Sequence, residues 1–140
     1  MQTINEIQNE VIEEFDGFDD WMDKYQMLID LGNDLEPLDE KYKVEQNLID
    51  GCQSRVWVHC DYADGKLVFT ADSDALITKG IIALLIRVLS GHTPQEILDS
   101  DLYFIERIGL KDHLSPTRSN GLLSMVKQIR MYALAFSAKG

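Results

Sequence analysis

A single stretch of two-residue alternation interrupts a chain whose other apolar residues repeat at helical spacing. The segments Arg55–Cys60 and Lys66–Ala71 are rich in β-branched and aromatic residues, which favour strands. Between them, Asp61–Gly65 ends in Asp-Gly, the dipeptide typical of a tight hairpin turn. A shorter strand from Val44 to Leu48 completes a predicted three-stranded antiparallel sheet.

Helical patterns lie on both sides of this sheet. A capping box of Thr3 with Glu6 predicts the start of the first helix. A second amphipathic helix is predicted from Trp21, with Gly32 as its C-terminal stop.

After the hairpin, Asp72 or Ser73 is expected to cap a helix from about Asp74 to Ser90, which Gly91 closes. A second capping box at Thr93–Glu96 and a last helix from Ser115-Pro116 follow. The pattern predicts an α+β fold, in which several helices pack against the small sheet.

Length and charge narrow the classes of function. The 140 residues predict one domain over residues 1–140, and a formal net charge of −11 argues against binding nucleic acid. The longest apolar run, Ile81 to Ile86, is far shorter than the ~20 residues of a membrane span. No export signal is visible, and two cysteines in such a chain favour free thiols in the cytoplasm.

The segment Asp50–Arg55 carries the strongest chemical signal. Gly51 permits a tight turn, and Cys52 falls at the entry to a strand instead of inside it. A free cysteine is usually a small buried hydrophobe, but a thiol at a polar turn can also be presented outward. The residues alone leave both interpretations open.

Cys60 and the histidines give weaker evidence for a chemical role. Cys60 lies in register with Val56 and Val58, so we expect it in the core without a chemical role. Two cysteines and three unpaired histidines do not make a closed zinc site, and we expect no bound metal. His59 and His92 are predicted at the surface, although pairing of a histidine with Cys52 in space stays possible.

Three motifs in order resemble the SufE family, including its CsdE relatives, over essentially the whole chain. The first is Gly51-Cys52-Gln53-Ser54 followed by Val56-Trp57, which resembles the family's sulfur-accepting loop. The second is Asp72-Ser73-Asp74-Ala75 with Lys79-Gly80, and the third is the segment from Leu114 to Leu122 that contains Arg118.

The resemblance implies a fold shared with IscU-type scaffolds and a role in sulfur transfer. A PLP-dependent cysteine desulfurase of the SufS or CsdA type would supply sulfur, and Cys52 would hold it as a persulfide. The carrier would stimulate that enzyme and pass sulfur to a SufB-containing scaffold. It would have no cofactor of its own, and a homodimer is possible. The alternatives are an iron–sulfur scaffold of the IscU type and a stand-alone thiol enzyme.

The residues around Cys52 have expected supporting roles. Gly51, Gln53, Ser54 and Arg55 support the loop or contact the partner, as do Asp74 and Arg118. Thiolate character rises near cations, which gives Arg55 and Arg118 a chemical purpose. Local alternatives are a helix-dipole role for Asp74 and turn hydrogen bonds for Gln53 and Ser54.

Overall fold

A computed structural model describes residues 2–49, 54–110, 112, 114 and 116–139. The chain begins with helices α1 (Ile4–Asp16) and α2 (Trp21–Asn33), and short 3₁₀ turns follow at Glu40–Tyr42 and Glu45–Asn47. Strands β1 (Val56–Ala63) and β2 (Lys66–Ser73) form an antiparallel hairpin. The remaining helices are α3 (Leu76–Leu89), α4 (Pro94–Asp99), α5 (Phe104–Arg107) and α6 (Pro116–Lys139).

The predicted helix starts are largely confirmed. Both capping boxes, Thr3 with Glu6 and Thr93 with Glu96, are complete at α1 and α4. The last helix begins at Pro116. The α3 start differs from the prediction, because Ala75 is its N-cap and no side chain caps it. Asp72 and Ser73 make other contacts, so the helix begins two residues later than expected.

The hairpin is confirmed, but the predicted third strand is wrong. In the described part of the chain the sheet has two strands. Between Val44 and Leu48 the backbone forms a 3₁₀ turn, and only Leu48 makes an isolated bridge, to Trp57. The side chain of Asn47 explains the difference, because its amide donates to the Tyr42 carbonyl at 2.8 Å and closes a local turn.

The hairpin turn follows the Asp-Gly signal. Asp64 and Gly65 have φ values of 54° and 78°, the left-handed conformation that a type I′ turn requires at both central positions. β1 therefore runs three residues further toward the turn than predicted, to Ala63, whereas β2 begins at Lys66 as predicted and continues to Ser73. One face of the hairpin is buried, and it consists of Val56, Val58, Cys60, Leu67, Phe69 and Ala71.

Helix α3 lies at the centre of the core. Nine of its fourteen residues are buried, and it packs against α1, α2, α6 and β2. Its contact with α2 is unusually close. A Cβ atom on Gly80 would lie 2.1 Å from the Leu28 carbonyl oxygen, and one on Gly32 would lie 2.9 Å from the Gly80 nitrogen. Gly32 is predicted from the sequence to end α2. It lies instead inside the last turn of α2, where the absence of a side chain lets the two helices pack closely.

His92 also departs from its predicted position. It is buried, with 3% of its surface exposed, instead of lying at the surface. Its backbone carbonyl accepts from the Leu67 amide at 2.9 Å, which places the residue beside the hairpin. The alternation of apolar residues could not reveal this burial, because His92 follows the turn at Gly91 and belongs to neither periodic segment.

Gly80→Ala tests the α2–α3 contact. Because the new methyl group would overlap a backbone oxygen that cannot move alone, we expect a loss of about 3 kcal/mol in the free energy of unfolding. Gly17→Ala is the matched control, since its φ of −71° suits alanine and the change should stay within about 1 kcal/mol. Urea denaturation measures both. Equal stability of the two variants would contradict the close contact.

Candidate functional site

The two ends of the segment 50–53 are attached to the hairpin. At the entrance, the Ile49 amide donates to the Val56 carbonyl at 2.8 Å, and the Ile49 side chain is buried with 4% exposure. Leu48, one residue earlier, bridges to Trp57. Ile49 is therefore an anchor on the N-terminal side of the segment that contains Cys52.

Asp74 holds the other end. Its carboxylate accepts a hydrogen bond from the Arg55 amide at 3.0 Å, and its own amide donates to the Arg55 carbonyl at 3.3 Å. The pairing continues the β1–β2 ladder one position past Val56 and Ser73. Asp74 therefore acts as a clamp on the exit of the segment, which agrees with the loop-support role expected of it and not with a helix-dipole role.

The predicted site residues divide into two groups. Gly51, Cys52 and Gln53 lie outside the described residues. Ser54 is half-buried, while Arg55 and Asp74 are exposed and contact each other through the two hydrogen bonds above. Arg118 is exposed in the first turn of α6.

A charged cluster lies next to this clamp, and the sequence analysis missed it. The Lys43 Nζ lies 3.0 Å from one Asp72 carboxylate oxygen, and the Lys79 Nζ lies 3.3 Å from the other. Burial alone would raise the pKa of Asp72, but hydrogen bonds, first from Lys43, bring it below its usual value. The Asp72 hydrogen bond likewise raises the pKa of Lys43. No local pattern signals a pair that is 29 positions apart in sequence.

The outer face of β1 is lined by aromatic rings. The Lys43 Nζ lies 5.8 Å from the centroid of the Trp57 ring. Tyr42 stacks on His59 with centroids 3.7 Å apart, and His59 Nε2 lies 2.9 Å from the Asp61 carboxylate. The predicted surface position of His59 is thus only partly correct, because the stacked ring is half-buried.

The core position predicted for Cys60 is confirmed. Its exposure is 9%, and it pairs with Phe69 across the hairpin. Burial first, and then the negative charge of Asp61, raise the pKa of the Cys60 thiol to about 12. At neutral pH this thiol is protonated and hence a poor nucleophile.

Neither a metal cluster nor a spanning helix occurs in the described structure. Within residues 2–49, 54–110, 112, 114 and 116–139, no three His, Cys, Asp or Glu side chains are grouped so that they could hold a metal ion. In the same ranges, no helix combines the length and the apolar character needed to cross a bilayer.

The family is decided by comparison with known proteins. The model of the SufE family, described as an Fe-S metabolism associated domain, matches residues 9–133. The chain belongs to the SufE family.

Its relatives agree with this assignment. The chain is 40% identical to an uncharacterized SufE-like protein of Synechocystis sp. over 126 residues, which cover 90% of this chain and 79% of the relative. It is 39% identical to SufE-like protein 1, chloroplastic/mitochondrial, of Arabidopsis thaliana over 132 residues. That match covers 94% of this chain but only 36% of the plant protein, so the chain spans about a third of that relative's length.

The fold has also been observed in a solved structure. The solution structure of a hypothetical protein from Thermus thermophilus superposes with a TM-score of 0.76 at 21% identity. The match covers 92% of this chain and 94% of that protein. The α+β class predicted from the sequence is thus confirmed, while its third strand is not. For this SufE-family chain the family match indicates a role in Fe–S metabolism.

The raised pKa of Cys60 predicts slow alkylation of this thiol. In the Cys52→Ser variant, Cys60 is the sole remaining thiol, and at pH 9 only about one molecule in a thousand would carry its thiolate. We expect iodoacetamide to label this variant very slowly between about pH 7 and 9, with a rate that still rises at pH 9, and rapidly once urea unfolds it. A labelling rate of the folded variant that matches the unfolded control, or that levels off by about pH 9 as for an ordinary thiol, would contradict the buried position.

The Asp74 clamp predicts local protection of one amide. In Asp74→Ala the Arg55 amide loses its acceptor, so its hydrogen exchange should accelerate by about tenfold or more. Asp74→Asn is the matched control, because the amide oxygen can still accept and exchange should stay near the original rate. Hydrogen exchange read by NMR distinguishes the variants. If all three proteins exchanged equally at Arg55, the clamp would not hold the segment.

Proposed function

We propose that this chain is a sulfur acceptor and carrier, one domain over residues 1–140 that holds persulfide sulfur on Cys52. The observation that carries the proposal is the burial of Cys60. The chain has two cysteines, and the high pKa of Cys60 removes it as a nucleophile at neutral pH. The sulfur-transfer role of the SufE family requires a thiol, and Cys52 is the one that remains.

The proposed step is a two-electron displacement. Cys52 loses its proton to a base of the donor, and its thiolate attacks the terminal sulfur of a persulfide on a PLP-dependent cysteine desulfurase. The new bond joins Cys52 Sγ to that sulfur as the sulfur–sulfur bond of the donor breaks. The donor cysteine leaves as a thiolate and can take up the proton. The transferred sulfur keeps its oxidation level, so no external oxidant or reductant is required.

The charges near the segment indicate that activation comes from the partner. Lys43 and Lys79 both direct their ammonium groups to Asp72, which neutralises part of their field. Arg55 is exposed at the exit, but the whole chain carries −11, which disfavours a thiolate. We therefore propose that the desulfurase supplies the cationic surroundings in which Cys52 ionises, and that the carrier stimulates turnover by removing its sulfur.

Docking is proposed around the fixed ends of the segment. Gly51, Gln53, Ser54 and Arg55 would enter or border the active site of the desulfurase, and Asp74 would keep the exit in place. Arg118 would contact the same partner from α6. The desulfurase would be of the SufS or CsdA type, and the sulfur would pass to a SufB-containing scaffold. We place these events in the cytoplasm; homodimer formation stays a prediction.

The two alternative functions lose support from the same side chains. An iron–sulfur scaffold needs about three or more thiolate ligands, whereas this chain has two cysteines and one is buried. A thiol enzyme needs an available histidine. Of the histidines that the structure describes, His92 is buried, with its ring nitrogens 2.9 Å and 3.3 Å from the Gln2 and Leu89 carbonyl oxygens, and His59 is engaged with Asp61. His113 lies outside the described residues.

Mass spectrometry after incubation with a cysteine desulfurase, PLP and L-cysteine tests the acceptor. The unmodified chain and Cys60→Ser should each gain the mass of one sulfur atom, and a reductant should remove it. Cys52→Ser should gain nothing, because its remaining thiol is buried and protonated. A folded Cys52→Ser variant that is still labelled would overturn the assignment, and so would full loss of labelling in a folded Cys60→Ser variant.

The initial rate in the same assay tests the docking surface. Arg118→Ala should slow sulfur transfer, whereas Lys127→Ala, another exposed cation on α6, should leave the rate unchanged. Thermal melts of both variants separate lost docking from lost folding. Normal transfer to a stable Arg118→Ala variant would place Arg118 outside the docking surface.

A further inference from the structure

Helix α6 carries a second apolar stripe that the core does not use. Its inner face is fully buried and consists of Leu122, Met125, Ile129 and Ala133. On another face, Leu123, Met131 and Leu134 are 51%, 53% and 61% exposed. Leu123 and Leu134 are eleven residues apart, about three helical turns, so they lie on one line along the helix. Folding alone gives no reason for this second stripe.

The stripe forms one wall of a groove. A cavity of about 390 Å³ lies between α6 and Leu98 of α4, and its other lining residues are Leu123, Val126, Lys127, Arg130, Met131 and Leu134. The Arg130 guanidinium donates to the Ser100 carbonyl at 2.9 Å, which connects α6 to the end of α4 and keeps the groove open in its present shape. A concave apolar surface of this kind suits the side chains of a docked helix.

The charge of α6 is opposite to that of the rest of the protein. Residues 116–139 contain four basic residues, Arg118, Lys127, Arg130 and Lys139, and no acidic one. The remainder of the chain therefore carries a formal charge of −15. Lys127 is exposed, and with Arg130 it borders the apolar groove, whose lining includes no carboxylate. The groove is a basic, apolar surface on an acidic protein.

We propose that this groove binds an acidic amphipathic helix of a partner protein. Leucine-like side chains of that helix would fill the space between Leu98 and Leu134, and a carboxylate beside them would pair with Lys127. None of the residues that line this surface is assigned a part in the proposed sulfur transfer. The proposal therefore stands independently of the proposed function.

A neighbouring cavity defines the charge pattern of the partner further. This cavity, of about 430 Å³, shares Leu123, Val126 and Arg130 with the groove but is also lined by Asp101, Glu106 and Asp112. Acidic residues on the partner would be repelled there. The acidic side chains of the docked helix should therefore lie over Lys127, and the end that reaches this cavity should be neutral or basic.

A second copy of the chain fits the groove less well. In a symmetric dimer through α6, Lys127 and Arg130 would face their own counterparts, and like charges repel. Met22, which is 70% exposed beside Asp20 and Asp23, could enter the groove of another copy. That contact joins different surfaces, so it would build rings or open chains of molecules that each carry −11 and repel one another.

A membrane surface also fits less well. Anionic lipids would attract Lys127 and Arg130 but would repel the −15 charge of the rest of the chain. This repulsion favours a protein helix as the occupant.

The test uses two labelled synthetic peptides, about four helical turns long, with leucines on one face. One carries glutamates beside the leucines and the other carries lysines at the same positions. We expect fluorescence anisotropy with the full chain to show binding of the glutamate peptide, weaker at high salt, and little binding of the lysine peptide. Leu134→Ser should weaken binding by about tenfold, and Met22→Ser, an equally exposed apolar control, should not change it.

A charge swap makes the test specific. Lys127→Glu should weaken binding of the glutamate peptide and strengthen that of the lysine peptide, while a thermal melt and sulfur labelling of Cys52 stay normal. The proposal would be overturned if the unmodified chain bound both peptides equally. It would also be overturned if the Leu134→Ser variant bound the glutamate peptide as tightly as the unmodified chain does. Self-association in sedimentation velocity that Leu134→Ser abolishes would assign the groove to a second copy. Binding to phosphatidylglycerol vesicles that Leu134→Ser abolishes would assign it to a membrane, and either result overturns the proposal.

Discussion

The structure depends on covering one face of a two-stranded hairpin. Two strands alone are marginal in water, so the face that includes Val58, Cys60 and Phe69 must be buried by other elements. α3 provides much of this cover because it is largely apolar and contacts β2. α6 contributes from its C-terminal half, where the Tyr132 hydroxyl donates to the Val58 carbonyl at 3.0 Å. The same burial raises the pKa of Cys60, which makes its thiol a poor nucleophile at neutral pH.

The hairpin also determines how the reactive segment is attached. Its open end, away from the Asp64-Gly65 turn, is extended by the bonds of Ile49 to Val56 and of Asp74 to Arg55. The residues on both sides of segment 50–53 are therefore hydrogen-bonded to the hairpin. In the proposed function Cys52 enters the active site of another protein, and these hydrogen bonds fix where its segment leaves and rejoins the hairpin.

The outer surface separates into regions of different charge. α1 and α2 with the loop after them are acidic, and α6 is basic with an unused apolar stripe. Around the hairpin, Lys43, Lys79 and Asp72 are paired in a compact cluster. In the proposed function the chain binds a sulfur donor and a sulfur acceptor in turn. Surfaces of different charge would allow it to discriminate between these two partners.

The sequence by itself determined the local features. Capping boxes at Thr3 and Thr93 and the Asp64-Gly65 turn act through neighbouring residues, so their patterns could be read directly. The contrast between Cys52 and Cys60 was likewise visible, because strand alternation predicts burial of Cys60. The tertiary structure decided what depends on distant partners. Asn47 replaced a third strand by a turn, Gly80 allowed α3 to approach Leu28, and Asp74 became a clamp on Arg55. Contacts between residues far apart in the chain leave no periodic signal in the sequence, and packing alone selects them.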